Sequence, residues 1–492
     1  MELKFIDTTF RDGSQSLWAA GMRVGMMDAI AEDIDQSGYR VIEVPVMPLN
    51  FKKVARDLKE DPWEMAKMLA KKMPRTIKAF MGEPAIFPFD IVNAPEAVVK
   101  LFYERIVATG VLNRVQIMGN IFGNVQELYP WYLPFLRSQG LEVVLALCYT
   151  ISPRHTDEYY EKKTQELAAL KPDVIYLKDQ GGLLTLDRIR TLMPIILKNS
   201  NGIPVELHSH CTTGLAEVVY MEALKLGCRT LHTAIPPLAN GSGQPSVLST
   251  AQNAKYLGYT VNLDLERIRK VSERLTSMAK MDKMPLGAPL EYDYSQYIYQ
   301  IPGGVISTLI HQLKALKLEN RLDEVIEETV QVRKDLGYPV MITPYSQFVV
   351  SQAAINVATG ERYKIFIDEI IQFALGVFSE DSGYTWMDQN LKDKILSLPR
   401  SKDLSNKKKV DLPLSKIREQ FCGPGLSDEE FLLRYIMNGT QEIEAMRQAG
   451  PYKRYSATTP ILDLLKDLSN QPKISYIQVG NRRSSLVLQK QQ

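Results

Sequence analysis

Short apolar runs alternate with amphipathic stretches through the first 260 residues. The runs are LKFID (3–7), RVIEVPV (40–46), TIKAF (76–80), RVQIM (114–118), EVVLALCY (142–149), DVIYLK (173–178), PVELHSH (204–210) and TLHTAI (230–235). They read as strands. Between them, stretches such as RVGMMDAIAEDIDQSG (23–38), DEYYEKKTQELAAL (157–170) and GLAEVVYMEALKLG (214–227) repeat their apolar residues at three and four positions, the period of a helix. Strand then helix, repeated, implies a parallel sheet with right-handed crossovers. Eight such units predict a (β/α)8 TIM barrel. An open doubly wound sheet is the competing arrangement, and the lack of a GxGxxG turn after the first strand counts against it.

From about residue 261 the period becomes helical throughout. Helices are expected over 264–279, 305–319, 321–337 and 345–360, with further pieces at 363–377 and 427–447. The organisation read from this is a barrel over 1–260, a helical region closing its mouth over 261–397, and a linker with C-terminal extension over 398–492. The stretch LPRSKDLSNKKKVDLPLSK (398–416) is basic, Pro-punctuated and poor in large apolar residues, so it reads as a linker or surface arm. The last twenty residues add a strand or two, or are disordered.

Barrel enzymes of this type carry their reactive groups where strands end. Asp12 follows the first strand in DTTFRDGSQS, Lys178 ends the sixth in YLKDQGG, and His208 and His210 end the seventh. Residues at i and i+2 of a strand point to one side, which near the mouth is the lumen. Two imidazoles and a carboxylate converging from separate strands make a competent divalent-metal site, with positions left open for Lewis-acid catalysis. Each residue also has a plain structural use. Asp12 suits a helix N-cap, and Lys178-Asp179 suits a surface ion pair.

Composition narrows the function. Lys+Arg 59 against Asp+Glu 57 leaves a charge of +2, too little to displace counterions from nucleic acid. No apolar run reaches the length of a membrane-spanning helix, and MELKFIDTT lacks the layout of a secretory signal. Cys148, Cys211, Cys228 and Cys422 form no CxxC pair, which fits reduced thiols in a cytoplasmic protein.

The chain resembles the carboxyltransferase subunits of biotin-dependent enzymes: transcarboxylase, the oxaloacetate decarboxylase alpha chain and the carboxyltransferase domain of pyruvate carboxylase. The likeness covers about residues 1–380 and rests on DTTFRDGSQSL (7–17), EDPWE (60–64), CYTISPRHT (148–156), LKDQGGLL (177–184), HSHCTTG (208–214), QIPGG (300–304), and VRKDLGYP with ITPYSQ (332–347). The resemblance implies that Asp12, His208 and His210 bind the metal (zinc, or manganese or cobalt). It implies that Lys178 binds it as a carbamate, because an ammonium has donors only. It further implies Gln15 as a contact to the keto acid, and Lys178, Arg11 and Ser307 as catalytic residues. Ser307 falls where the family has a hydroxyl that shuttles a proton between enol and biotin; its plain use is as a helix N-terminal serine. The expected reaction is carboxyl transfer between carboxybiotin and a 2-oxo acid such as pyruvate or oxaloacetate, through a metal-stabilised enolate. The expected partners are a biotin carboxyl carrier protein, a biotin carboxylase subunit and further copies of the chain in a homo-oligomer.

Several positions depart from the family pattern. Its RDAHQS is here Arg11-Asp12-Gly13-Ser14-Gln15-Ser16, closer to related lyases and synthases. VPVMPLN (44–50) replaces a WGGAT-like turn, and RVQIMGN (114–120) replaces an RVFD-like strand end. Met81 stands where the family has an arginine for substrate carboxylate or biotin, and a thioether cannot replace a bidentate donor. The nearest string to a biotin-attachment tetrapeptide, Ala279-Lys280-Met281-Asp282-Lys283-Met284, lies mid-chain after a helix and reads as coincidence. Biotin is therefore expected on another polypeptide. The alternatives are a biotin-independent lyase or Claisen/aldol-type enzyme of the related barrel group, and an impaired scaffold subunit.

Overall fold

The computed structural model describes residues 2–82, 94–118, 125–302, 305, 309, 313, 319–378, 380–405, 412–421, 425–455, 465, 468–469, 471, 473–480 and 485–489. Eight strands stand where the apolar runs predict them: Glu2–Asp7 (β1), Val41–Glu43 (β2), Ile77–Met81 (β3), Arg114–Met118 (β4), Glu142–Cys148 (β5), Val174–Asp179 (β6), Val205–Ser209 (β7) and Thr230–Thr233 (β8). Each pairs in parallel with the next, and β1 pairs with both β2 and β8. The ring is closed, so the barrel expectation holds and the open sheet does not. Several runs are longer in sequence than in the ladder, RVIEVPV most of all. In RVIEVPV, Pro45 lacks the N–H that pairing needs, and β2 stops at Glu43. A two-residue strand, Thr260–Val261 (β9), pairs with Glu2 and Leu3 of β1; it is too short to leave a sequence signal.

Register sorts the strand residues into two faces. Met81 pairs with Gln116, Arg114 with both Ala79 and Glu142, and Lys178 with Cys148 and His208. Arg114 of β4 also reaches Glu206 of β7, and Tyr176 of β6 reaches Met81 of β3. Neither pair is adjacent in the sheet, so both contacts cross the barrel interior. The lumen therefore holds buried polar and charged groups.

Helices follow over Leu265–Met281, Leu322–Asp335, Tyr345–Thr359 and Asp368–Ala374. Their region grips the loop after β5 at the barrel mouth. Arg333 Nη2 donates to Thr150 Oγ1 (3.0 Å) and the Ile151 carbonyl (3.1 Å). Gln300 Oε1 accepts from Thr150 Oγ1 at 2.9 Å, and Arg154 Nη2 donates to the Asp381 carbonyl at 2.7 Å. Pro399–Ser405 and Leu414–Phe421 are helical, and Leu404 and Ile417 are buried, so a few well-spaced apolar residues suffice to seat them. The expected helix over 427–447 divides into Asp428–Met437 and Gln441–Ala449 at left-handed Asn438. Tyr476–Gly480 and Ser485–Gln489 form an antiparallel hairpin. Among the described residues no helix is long and apolar enough to cross a membrane.

Asp7, at the end of β1, is fully buried. Its Oδ1 accepts from Thr9 Oγ1 at 2.6 Å, while Oδ2 has no partner among the described residues. Burial pushes its carboxyl up to about 7. The folded chain thus holds a proton that the unfolded chain releases near pH 4. That stabilisation is complete below the unfolded value and is lost as pH rises through about 7. An Asp7→Asn variant does not titrate here. Its stability relative to the parent should therefore rise between about pH 4 and pH 7, by denaturant midpoints; a flat difference would mean that Asp7 is ionised throughout.

Candidate active site and metal centre

The chain leaves β1 through a π-helical turn, Thr9–Gly13, which carries Arg11 and Asp12 over the mouth. Gly13 has a packing reason: a Cβ there would lie 2.7 Å from the Leu238 carbonyl oxygen. Lys178 comes from β6, and His208 and His210 from the end of β7. Asp179 ties these two strand ends together. It is fully buried and accepts from Leu183 N–H (2.8 Å), Leu184 N–H (2.9 Å) and Ser209 Oγ (2.8 Å), so it is no surface ion pair. Burial nonetheless raises it to about 6. Gly182 follows at φ +62°, with the His210 carbonyl where a side chain would stand.

Four of the residues singled out in the sequence meet. Asp12 Oδ2 lies 3.3 Å from His208 Nε2 and 3.6 Å from Lys178 Nζ, and Asp12 Oδ1 lies 3.7 Å from His210 Nε2. The two Nε2 atoms are 3.2 Å apart. All four residues are buried. Burial favours neutral Asp12, but Arg11, His210 and Lys178 outweigh it and hold the carboxyl well below the usual range. Burial, with Lys178 adding to it, holds His208 well below the ordinary imidazole value; burial also lowers His210. An anionic carboxylate and two neutral imidazoles facing one point are a donor set that could hold a divalent cation.

The other named residues are placed as follows. Arg11 Nη2 sits 2.9 Å from Asp12 Oδ2, and its Nε donates to Glu43 Oε2 at 2.8 Å. Arg11 thereby holds Glu43 down at about 2 against the effect of burial. Gln15 is half-buried on the next helix, Ser14–Trp18. Met81 is buried at the end of β3, and its sulfur accepts from the Tyr176 hydroxyl at 3.4 Å. Ser307 lies outside the described residues.

Five site residues were missed in the sequence. Gln244 Oε1 accepts from Thr8 Oγ1 at 2.7 Å, which turns its Nε2 to His210 Nε2 (3.0 Å) and His208 Nε2 (3.3 Å). His232 Nδ1 lies 3.2 Å from His208 Nδ1, and its Nε2 lies 3.0 Å from Glu206 Oε2. Glu43 joins His208 and His232 in a second set of potential ligand atoms. Gln116, in register with Met81, is fully buried, and both its amide atoms lack a partner among the described residues.

Known proteins resemble this chain along most of its length. Residues 297–471 match the family model of the conserved carboxylase domain. The chain is 32% identical over 381 residues to the methylmalonyl-CoA carboxyltransferase 5S subunit of Propionibacterium freudenreichii subsp. shermanii, covering 77% of this chain and 74% of that one. The chain belongs to the carboxyltransferase subunits of biotin-dependent enzymes. It is also 34% identical over 386 residues to a pyruvate carboxylase subunit of Methanocaldococcus jannaschii, with 77% of this chain covered. It spans 66% of that relative's length, and 65% of the corresponding pyruvate carboxylase subunit of Methanothermobacter thermautotrophicus. In fold it is similar to the carboxyl transferase domain of Rhizobium etli pyruvate carboxylase with 3-bromopyruvate. That likeness has a TM-score of 0.78 at 23% identity, over 92% of this chain and 78% of that one.

Proposed function

We propose that the chain transfers a carboxyl group between carboxybiotin, borne by a separate carrier protein, and a 2-oxo acid, with pyruvate and oxaloacetate as the leading pair. The observation that carries this reading is the meeting of Asp12, His208 and His210 as one carboxylate and two neutral imidazoles. A methyl ketone gains or loses a carboxyl group through its enolate, so charge on the keto oxygen must be stabilised. A divalent cation held by Asp12, His208 and His210 would supply that stabilisation as a Lewis acid. Lys178 would complete the set as a carbamate, which gives its side chain anionic oxygens. Zinc suits the imidazoles, and manganese or cobalt accepts the same mixed donors.

The remaining roles fall to the chain's own side chains. Arg11 fixes the Asp12 carboxylate and keeps a positive charge beside the developing enolate. Gln15 and Gln116 offer amide donors to the acid, and Gln116 has no partner to give up among the described residues. Ser307 is proposed as the hydroxyl that moves a proton between enol and biotin. The helical region limits bulk water, which would otherwise protonate the enolate before transfer. A biotin carboxyl carrier protein is the partner this chemistry requires, and a biotin carboxylase subunit would supply carboxybiotin from bicarbonate, in a cytoplasmic assembly.

The test incubates the purified chain with oxaloacetate and free biotin, measuring pyruvate release and bound metal together. Biotin-stimulated pyruvate release from a metal-loaded protein is expected, and avidin should block it when biotin is supplied on a carrier. A metal-free, inactive protein would overturn the reading. Met81 favours one second reading, a biotin-independent lyase of the related barrel group. Turnover indifferent to biotin and avidin would select it.

A further inference from the structure

Taking the two histidine ligands as a metal centre, we propose that His232, anchored by Glu206 and Arg114, is a positioning residue: it keeps the His208 proton on Nδ1 and so turns the Nε2 lone pair toward Asp12. An imidazole can ligate only through a nitrogen that carries no proton, and the partner of the other nitrogen decides which one that is. For His210 the decision is simple. Its Nδ1 lies 2.6 Å from the Ser242 carbonyl oxygen, which can only accept, so Nδ1 carries the proton and Nε2 is bare.

Among the described residues no carbonyl faces His208 Nδ1. Its Nδ1 meets His232 Nδ1 at 3.2 Å, a contact between two nitrogens of which one must donate. The far end of the chain settles the direction. Arg114 grips Glu206 with two nitrogens, Nη1 to Oε1 at 3.1 Å and Nη2 to Oε2 at 2.5 Å. Glu206 is thereby an acceptor only. It faces His232 Nε2 at 3.0 Å, so that nitrogen must be the donor. With a single proton on His232, its Nδ1 is bare, and His208 Nδ1–H fills it. The Gln244 amide gives the same answer from the other side. With its oxygen accepting from Thr8 Oγ1, its NH2 group points at the Nε2 atoms of both ligand histidines, the arrangement in which both accept. Stacking of Tyr176 on His232, with ring centroids 5.3 Å apart and planes 8° apart, holds the ring that relays the polarity.

The relay is confined to the lumen. Arg114, Glu206, His232 and His208 are all buried, and they lie on β4, β7 and β8 beneath the mouth. None but His208 borders Asp12, so the other three act only through it.

Nitrogen-15 spectra of histidine-labelled, metal-free protein test the polarity directly, and the chain holds only five histidines to assign. The expected result is a proton on Nδ1 of His208 and His210 and on Nε2 of His232. A proton on Nε2 of His208, or on both nitrogens of His232, overturns the proposal. Zinc competition against a chelator tests the consequence. His232→Leu should weaken zinc binding by about 10–100-fold, the usual loss when a ligand's outer partner is removed. His232→Asn, which returns an acceptor to the Nδ1 position, should bind near the parent level. Equal loss in both variants, or none in His232→Leu, overturns it. Should His232→Leu fail to fold, the labelled parent still decides. Should the parent bind no zinc, the metal reading fails while the proton positions remain measurable.

Discussion

An Asp12→Asn enzyme should keep its fold and lose about three orders of magnitude in kcat. Lewis-acid stabilisation of a developing oxyanion supplies several kcal/mol, and each 1.4 kcal/mol or so is a factor of ten in rate. The substituted asparagine keeps the size of the side chain and removes the anionic oxygens that face His208, His210 and Lys178. Arg11 retains Glu43, so the turn after β1 stays anchored. The loss should appear in kcat more than in KM, with a parallel loss of bound metal. Measurement belongs in the full assembly with its biotinyl carrier, where a scaffold role would leave turnover unchanged. Parent-like kcat in that assembly would remove Asp12 from the chemistry and the enolate mechanism with it.

The eight strands were legible because parallel strands are buried on both faces and read as unbroken apolar runs. Their ends were less so. Pro45 truncates β2, and β9 is two residues long. The four proposed ligands were legible for a topological reason: the C-terminal ends of barrel strands form the mouth, where reactive groups from distant parts of the chain converge. Glu43, Arg114, Glu206 and His232 were not, although each belongs to an apolar strand. Periodicity averages over them. The signal that would have found them is the opposite one, a charged side chain in a run that the fold must bury, which requires a partner across the lumen. Gln244 has no such signal, since GSGQPS reads as an ordinary turn. Gly13, which suggested lyase relatives, also has a packing reason in the Leu238 backbone.

Replacing Arg114 by Met should cost about 3–5 kcal/mol, the usual loss when one partner of a buried ion pair is removed. Arg114 is 1% exposed and spans the lumen, with Nη1 3.1 Å from Glu206 Oε1 and 3.3 Å from Glu142 Oε1. Methionine fills much of the same volume but leaves the Glu206 carboxylate buried beside His232 alone. The sign of the pH effect follows from Glu206. Burial would raise its pKa, yet Arg114 and His232 hold it down at about 2 in the folded chain. Its contribution is complete above the unfolded value and is lost as pH falls through about 2. The gap between parent and variant should be widest near neutrality and should narrow as pH drops below about 4. Denaturant midpoints over that range measure it. A double variant, Arg114→Met with Glu206→Leu, should recover part of the loss, because an apolar pair leaves no buried charge behind. A single-variant loss below about 1 kcal/mol, the level of a solvent-exposed pair, would mean that water reaches Glu206. The lumen would then be too wet to hold one histidine polarity, and the tautomer relay that ends on His208 would lose its anchor.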